Sequence, residues 1–371
     1  MDFGISEEQE ALRDLARQIL QDRANPERLR ELENEGHDFD RELWAEFARA
    51  NLLGLAIDEE YGGMGFGFSE VALLLEEVGR AVAPIPALAT LVMGALPIAR
   101  FGTPAQRSRL LAGVASGDEI LSAALIEPDS DDPRELTTQA IRDADGWRLT
   151  GEKICVPAAR VARRILVPAK AEGGIGLFLV DPRAPGVELA PQQSTSLEAQ
   201  FVIRLTGVHV ETNDVLADSE SGSQALDWTL ERSLAALCAM QLGVCEAALR
   251  MTADYASTRE QFGRKLSTFQ AVGHQAADAY IDIECLRVTT QQAVWRLDVG
   301  KVAHEQTAIA KVWAGDAGHR VSYAAQHLHG GIGVDLDYPL HRYCFWAKQI
   351  ELTLGSSAHH IDRLGDWAAN A

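Results

Sequence analysis

Apolar residues recur at helical spacing from Ser6 to about Gly117. Ser6-Glu7-Glu8-Gln9 offers an N-cap hydroxyl with a glutamine three residues on, and Leu12, Leu15, Ala16, Ile19 and Leu20 follow on one face. Further helices are expected over 40–50 and 69–81, with a glycine-rich loop, Tyr61-Gly62-Gly63-Met64-Gly65-Phe66-Gly67, between them. No strand precedes that loop in the dinucleotide-binding manner, so it is a weak phosphate-cradle candidate and reads first as a structural connector. Between about Asp118 and Asp218 the period changes to two, with strand-like runs at 121–126, 147–156, 164–167, 175–180 and 201–210 separated by Pro and Gly. From Ser223 the helical period returns. Leu226, Leu230, Leu234, Leu237, Val244, Ala248, Met251 and Tyr255 mark one face of a helix about thirty residues long, and three more helices are expected at roughly 268–299, 305–329 and 339–354. The expected layout is α+β: an N-terminal helical domain (1–117), a central antiparallel β domain (118–218) and a C-terminal four-helix bundle (219–371).

Composition narrows the functions open to such a chain. With 47% hydrophobic and 6% aromatic residues in 371, it should fold with a large core. Its 34 Lys plus Arg against 54 Asp plus Glu give a net charge of −20, which repels nucleic acid and anionic membranes. Neither is expected as a partner. The same charge opposes any anionic ligand, which would need a local basic patch. Five scattered cysteines (Cys155, Cys238, Cys245, Cys285, Cys344) form no CxxC pair, so no disulfide framework or zinc site is indicated. The N-terminus lacks a signal-peptide pattern, and no run of about eighteen apolar residues occurs. A cytoplasmic location is expected.

Two segments about sixty residues apart carry the candidate chemistry. Arg259-Glu260-Gln261-Phe262-Gly263 runs on to Phe269-Gln270, and His327-Leu328-His329 leads into Gly330-Gly331-Ile332-Gly333. An arginine fork suits a pyrophosphate, and a Gly-Gly turn lets backbone N–H groups approach one closely. As metal ligands the histidines are poorly spaced: His327 and His329 point to different helix faces, and His359-His360 are adjacent. Gly355-Ser356-Ser357 has no accompanying hydrolase signature.

These two segments, in a chain with this domain order, resemble the acyl-CoA dehydrogenase family over essentially the whole length. The resemblance implies α,β-dehydrogenation of an acyl-CoA and an FAD whose ADP half is clasped by Arg259, Gln261, Phe262, Leu266, Gln270, His327, Gly330 and Gly331, usually for a flavin seated mainly in a neighbouring subunit. His327 stands where the family places a glutamine, with Gln326 displaced by one.

Other family positions depart further. The C-terminal "EGT" motif that bears the catalytic glutamate reads Leu354-Gly355-Ser356. Some members carry that glutamate on the first long C-terminal helix, before an arginine, and Glu231-Arg232 falls there; an ordinary carboxylate near a helix N-terminus explains Glu231 as well. Glu351 reads as a solvated helix charge. The flavin-facing "TEPxxGSD" turn and "WIT" strand correspond to Ile126-Glu127-Pro128-Asp129-Ser130-Asp131-Asp132 and Cys155-Val156-Pro157. Proline supplies no N–H or hydroxyl, and the aspartates bring negative charge.

A clasp kept and a flavin cradle lost resemble the small subunit of α2β2 heterotetrameric acyl-CoA dehydrogenases, whose large subunit supplies the isoalloxazine pocket and the base. The steroid side-chain type is similar in Phe39-Asp40-Arg41-Glu42-Leu43-Trp44, Tyr280-Ile281-Asp282-Ile283, Gly330-Gly331-Ile332-Gly333-Val334-Asp335 and His341-Arg342-Tyr343. A pimeloyl-CoA dehydrogenase small subunit is similar in Gly176-Leu177-Phe178-Leu179-Val180-Asp181. An electron-transfer flavoprotein is the acceptor this implies. A self-sufficient homotetramer with Glu231 as base, and a flavin-free scaffold subunit, remain as alternatives.

Overall fold

The computed structural model describes residues 3–194 and 196–370. In chain order the helices are α1 (Glu7–Arg23), α2 (Pro26–Glu35), α3 (Arg41–Arg49), α4 (Phe68–Arg80), α5 (Leu96–Phe101), α6 (Pro104–Ala115), α7 (Gly222–Thr258), α8 (Gln270–Asp298), α9 (His304–His329), α10 (Leu340–Leu352) and α11 (Ser357–Asn370). The strands are β1 (Leu121–Ala123), β2 (Gln139–Arg142), β3 (Gly146–Pro157), β4 (Arg164–Ala171), β5 (Gly174–Val180), β6 (Val187–Gln192), β7 (Gln200–Glu211), β8 (Val215–Ala217) and a small hairpin, β9 (Glu260–Gln261) and β10 (Arg264–Lys265). Contacts group these into two compact units, one of residues 1–31, 72–83 and 234–371, the other of 32–71 and 84–233.

The unit of 32–71 and 84–233 is built on one sheet ordered β6-β7-β3-β2-β4-β5-β8, with β1 added to β4. Most pairings are antiparallel, as the alternating pattern implies, but β1–β4 and β2–β4 are parallel, so the sheet is mixed. Three strands escape the periodicity. β2 buries one side chain in four, β8 has three residues, and β6 is a half-exposed edge strand that tolerates Pro191 because an edge leaves N–H positions unused. Trp147, Phe178, Phe201, Leu149 and Val208 fill the core beneath the sheet. Asp40 caps α3 by accepting from the N–H groups of Glu42 and Leu43 at 3.0 and 3.1 Å. The glycine-rich loop is a connector: Gly62 takes φ 83°, and a Cβ on Gly63 would lie 2.0 Å from the Ile57 carbonyl oxygen.

The other unit is helical. Ser6 and Gln9 form the expected reciprocal cap on α1. All four expected C-terminal helices form, and a fifth, α11, follows the Leu354 bend. Its polar, histidine-rich start conceals a buried anchor, His360. Helix α7 runs to 37 residues and is long and apolar enough to cross a membrane by composition, but 72% of its apolar window is buried within the protein. A bidentate Arg320–Asp282 pair (2.7 and 2.8 Å) ties α9 to α8. An ionic cluster links four helices: Arg17 of α1 clasps Glu77, Arg80 bonds Glu76 at 2.7 Å, and Glu246 of α7 takes both Arg80 and Arg287 of α8. Within it burial, with Glu246 nearby, pushes the Glu76 carboxyl up to about 7.

Candidate functional site

Arg259 follows α7 directly, its N–H bonded to the Tyr255 carbonyl at 2.8 Å and its own carbonyl accepting from Leu266 N–H at 2.9 Å. Between them β9 and β10 form a two-residue hairpin whose corner is Phe262-Gly263, both at positive φ (54° and 76°). Such a corner favours Asn-Gly, so a phenylalanine there is strained by about 1–3 kcal/mol. Its ring is 90% exposed and meets Phe269 edge-on at 6.2 Å. Arg264 lies over Phe269 at 3.9 Å, and Gln261, Arg264, Lys265 and Gln270 are exposed. Leu266 is half-buried and seats the turn. In a chain of net charge −20, this hairpin carries Arg259, Arg264 and Lys265 against Glu260 alone, which is the local basic patch an anion needs.

Helix α9 ends on His329, and Gly330 leaves it with φ 63° and ψ −141°, a region essentially reserved for glycine. A Cβ on Gly330 or Gly331 would meet nothing within 4 Å, so the constraint at Gly330 is conformational and the face is open. His327 is exposed, with its ring parallel to that of Tyr323 (6.3 Å, 6°). His329 is buried against Tyr255, stacked at 4.5 Å, and against Tyr338. Tyr255 and His329 thus bring the arginine turn and the glycine turn together. In the sequence Tyr255 reads only as part of an apolar helix face and His329 only as a neighbour of the glycine pair, and Tyr338 does not stand out; the one further signal is that Tyr255 precedes Arg259 by one helical turn.

At the position of the family glutamate, Leu354 is 4% exposed and holds φ 58°. The bend around it is firmly fixed. Lys311, 0% exposed, donates from Nζ to the carbonyls of Ile350, Glu351 and Gly355 at 2.9, 2.9 and 3.0 Å, and His360 Nε2 bonds the Leu354 carbonyl at 3.0 Å. Glu351 pairs with Lys348 at 2.5 Å and is not simply a solvated charge.

In the sheet unit, Glu231 is half-buried within α7. The helix begins at Gly222, more than two turns earlier, so the dipole at a helix N-terminus does not reach it. Arg232 sits over the Trp228 ring at 3.6 Å.

The text matching the flavin-facing turn is self-occupied. Glu127 takes Lys153 Nζ at 2.7 Å and the N–H groups of Thr137 and Thr138. Burial opposes this charge, but Lys153 and the hydrogen bonds prevail and hold the carboxyl well below its usual range. Asp129 takes φ 70° at the corner. Cys155 forms a bulge at φ 53°, its N–H donating to Gln192 Oε1 at 2.9 Å, and the Pro157 carbonyl accepts from Ser122.

The donor set therefore fits the ADP end of a flavin dinucleotide, with basic side chains and an open glycine turn. It does not fit the ring end, where the N–H is taken and the hydroxyl is missing.

Residues 6–118 match the family model for the acyl-CoA dehydrogenase N-terminal domain and 220–369 that for the C-terminal domain. Acyl-CoA dehydrogenase FadE27 of Mycobacterium tuberculosis is 38% identical over 98% of both chains. A chain of the ChsE4-ChsE5 complex from Mycobacterium tuberculosis superposes with TM-score 0.95 at 38% identity over the full length of each. A chain of the Tcur3481-Tcur3483 steroid ACAD superposes with TM-score 0.92 at 46% identity over 98% of each.

Proposed function

Because the chain belongs to the acyl-CoA dehydrogenase family, whose members and structural neighbours are FAD-binding flavoproteins, we propose that it is the subunit of a heteromeric enzyme that supplies ADP-side contacts but no catalytic base. The observation that carries this reading is the contrast between an exposed, basic, glycine-opened clasp and a flavin-facing turn whose hydrogen-bonding groups are already used. Arg259 would fork onto the diphosphate, and the N–H groups at Gly330 and Gly331 would approach it. Gln261, Phe262, Leu266 and Gln270 would wall the nucleotide, with His327 on the adenine side.

α,β-Dehydrogenation of an acyl thioester needs a base for the α-proton, donors for the thioester carbonyl and an electron acceptor; bound FAD supplies the last. This chain offers Leu354 where a carboxylate is needed, so a large partner subunit bears the base. An electron-transfer flavoprotein reoxidises the complex. Likeness to a steroid ACAD chain supports a CoA thioester of a steroid side chain as substrate. Two substitutions test the reading: Arg259→Ala should strip FAD from the heteromer, whereas Glu231→Gln should leave turnover nearly unchanged. Abolished turnover in Glu231→Gln would favour a self-sufficient dehydrogenase, and full flavin content in Arg259→Ala would favour a scaffold.

A further inference from the structure

His329, the last residue of α9, has its imidazole Nδ1 2.8 Å from the Ala325 carbonyl, which can only accept, so Nδ1 carries the hydrogen. Nε2 is then an acceptor, and it faces the Tyr338 hydroxyl at 3.1 Å. Burial lowers the pKa of His329 from its ordinary value, which keeps this neutral form at neutral pH. Burial, with Tyr255 and Asp254 nearby, raises that of Tyr338, which keeps the phenol a donor. Tyr338 lies on the far side of the glycine turn. Its N–H bonds the Asp335 carbonyl at 3.1 Å and its carbonyl meets His341 Nδ1 at 2.7 Å. The loop from Gly330 to Asp337 is thus closed at its base by one directed His–Tyr hydrogen bond.

Tyr255 joins this closure to the other segment. Its ring stacks on His329 (4.5 Å, 20°) and meets Tyr338 edge-on (6.4 Å, 64°), while its carbonyl accepts the Arg259 N–H at 2.8 Å. A Cβ on Gly333 would lie 3.1 Å from His329 Cβ and 3.2 Å from the Gln326 carbonyl oxygen, so the returning loop also packs against the end of α9.

We infer that Tyr255, His329 and Tyr338 are positioning residues that hold the arginine turn and the glycine turn in one register for a dinucleotide diphosphate. The inference rests on the ADP-clasp reading above. Apolar rings alone would fill the space; the hydrogen bond adds a direction, and each of the three adjoins a turn of the clasp. Two chain segments about sixty residues apart then present a single preorganised anion site.

The test titrates FAD into the full-length chain assembled with its large subunit and stripped of flavin, and follows melting in parallel. Tyr338→Phe and His329→Phe keep the rings and remove the bond. Each is expected to raise the FAD Kd about tenfold, equal to about 1.4 kcal/mol, with the melting temperature within about 2 °C of wild type. His329→Phe combined with Arg259→Ala should cost less than the sum of the two. Unchanged Kd in both ring variants, while Arg259→Ala loses FAD, would overturn the inference and leave the clasp reading intact. A fall in melting temperature of many degrees in step with the Kd would assign the triple to general packing and overturn it too. FAD retained by Arg259→Ala would overturn the clasp reading, and the inference with it.

Discussion

Replacing Lys311 with Met isolates what holds the bend at the family's catalytic position. The ammonium is fully buried and donates three hydrogen bonds to the carbonyls of Ile350, Glu351 and Gly355. Bonds to a charged group are worth about 1.5–3 kcal/mol each, so the gross loss is about 4.5–9 kcal/mol. Against this, burial has pulled the lysine pKa from 10.5 down to about 8, a desolvation cost of roughly 3 kcal/mol that methionine relieves. Lost hydrogen bonds win, and Lys311→Met should destabilise the helical unit by about 1.5–6 kcal/mol. Urea unfolding followed by helical circular dichroism measures the loss. Hydrogen exchange should show faster opening at the start of α11. A loss below about 1 kcal/mol, or unchanged protection there, would refute the reasoning, because it would mean that the three carbonyls find other donors.

Other consequences are as specific. The Glu76 carboxyl, raised from 4.5 to about 7, contributes fully below pH 4.5 and loses that contribution as pH rises through 7. Glu76→Gln should therefore match wild type at pH 4 and exceed its stability by ~1–3 kcal/mol at pH 8; a difference that does not change with pH would contradict this. Phe262→Asn relieves the strained hairpin corner and loses little burial, so it should raise stability by up to about 1 kcal/mol while weakening FAD retention; a parallel loss of both would show that the ring supports the fold. Gly330→Ala forces a side chain into φ 63°, ψ −141° and should cost about 1–3 kcal/mol together with flavin, checked by thermal melting and flavin absorbance.

Helices were legible where apolar face and cap coincide, as with Ser6 and Gln9, the 40–50 stretch of α3 and the leucine ladder of α7, whereas α2, α5, α6 and α11 had no such individual signal. The strands were legible where both neighbours are long. β2, β6 and β8 were not, since a short or half-exposed edge strand leaves little alternation to read. The parallel pairing of β1 with β4 lies in tertiary connection and has no local signature. In the site, Arg259 and Gly330-Gly331 were nominated through the family resemblance, with which an arginine fork and a side-chain-free turn are chemically consistent. His329 was readable only as one of two spaced histidines, because its role depends on Tyr255 and Tyr338, which come together only in the folded chain. Lys311 carries no sequence signal that separates it from other helical lysines, because its three carbonyl partners come together only in the folded chain.

The most direct test of the shared-site account is the flavin-to-chain ratio, from visible absorbance, of this protein purified alone and again after co-expression with a large subunit. The account predicts a ratio near zero alone and flavin bound in the heteromer, lost again in Arg259→Ala. A ratio near one for the chain alone would contradict it and would make Glu231 the residue to pursue as the base.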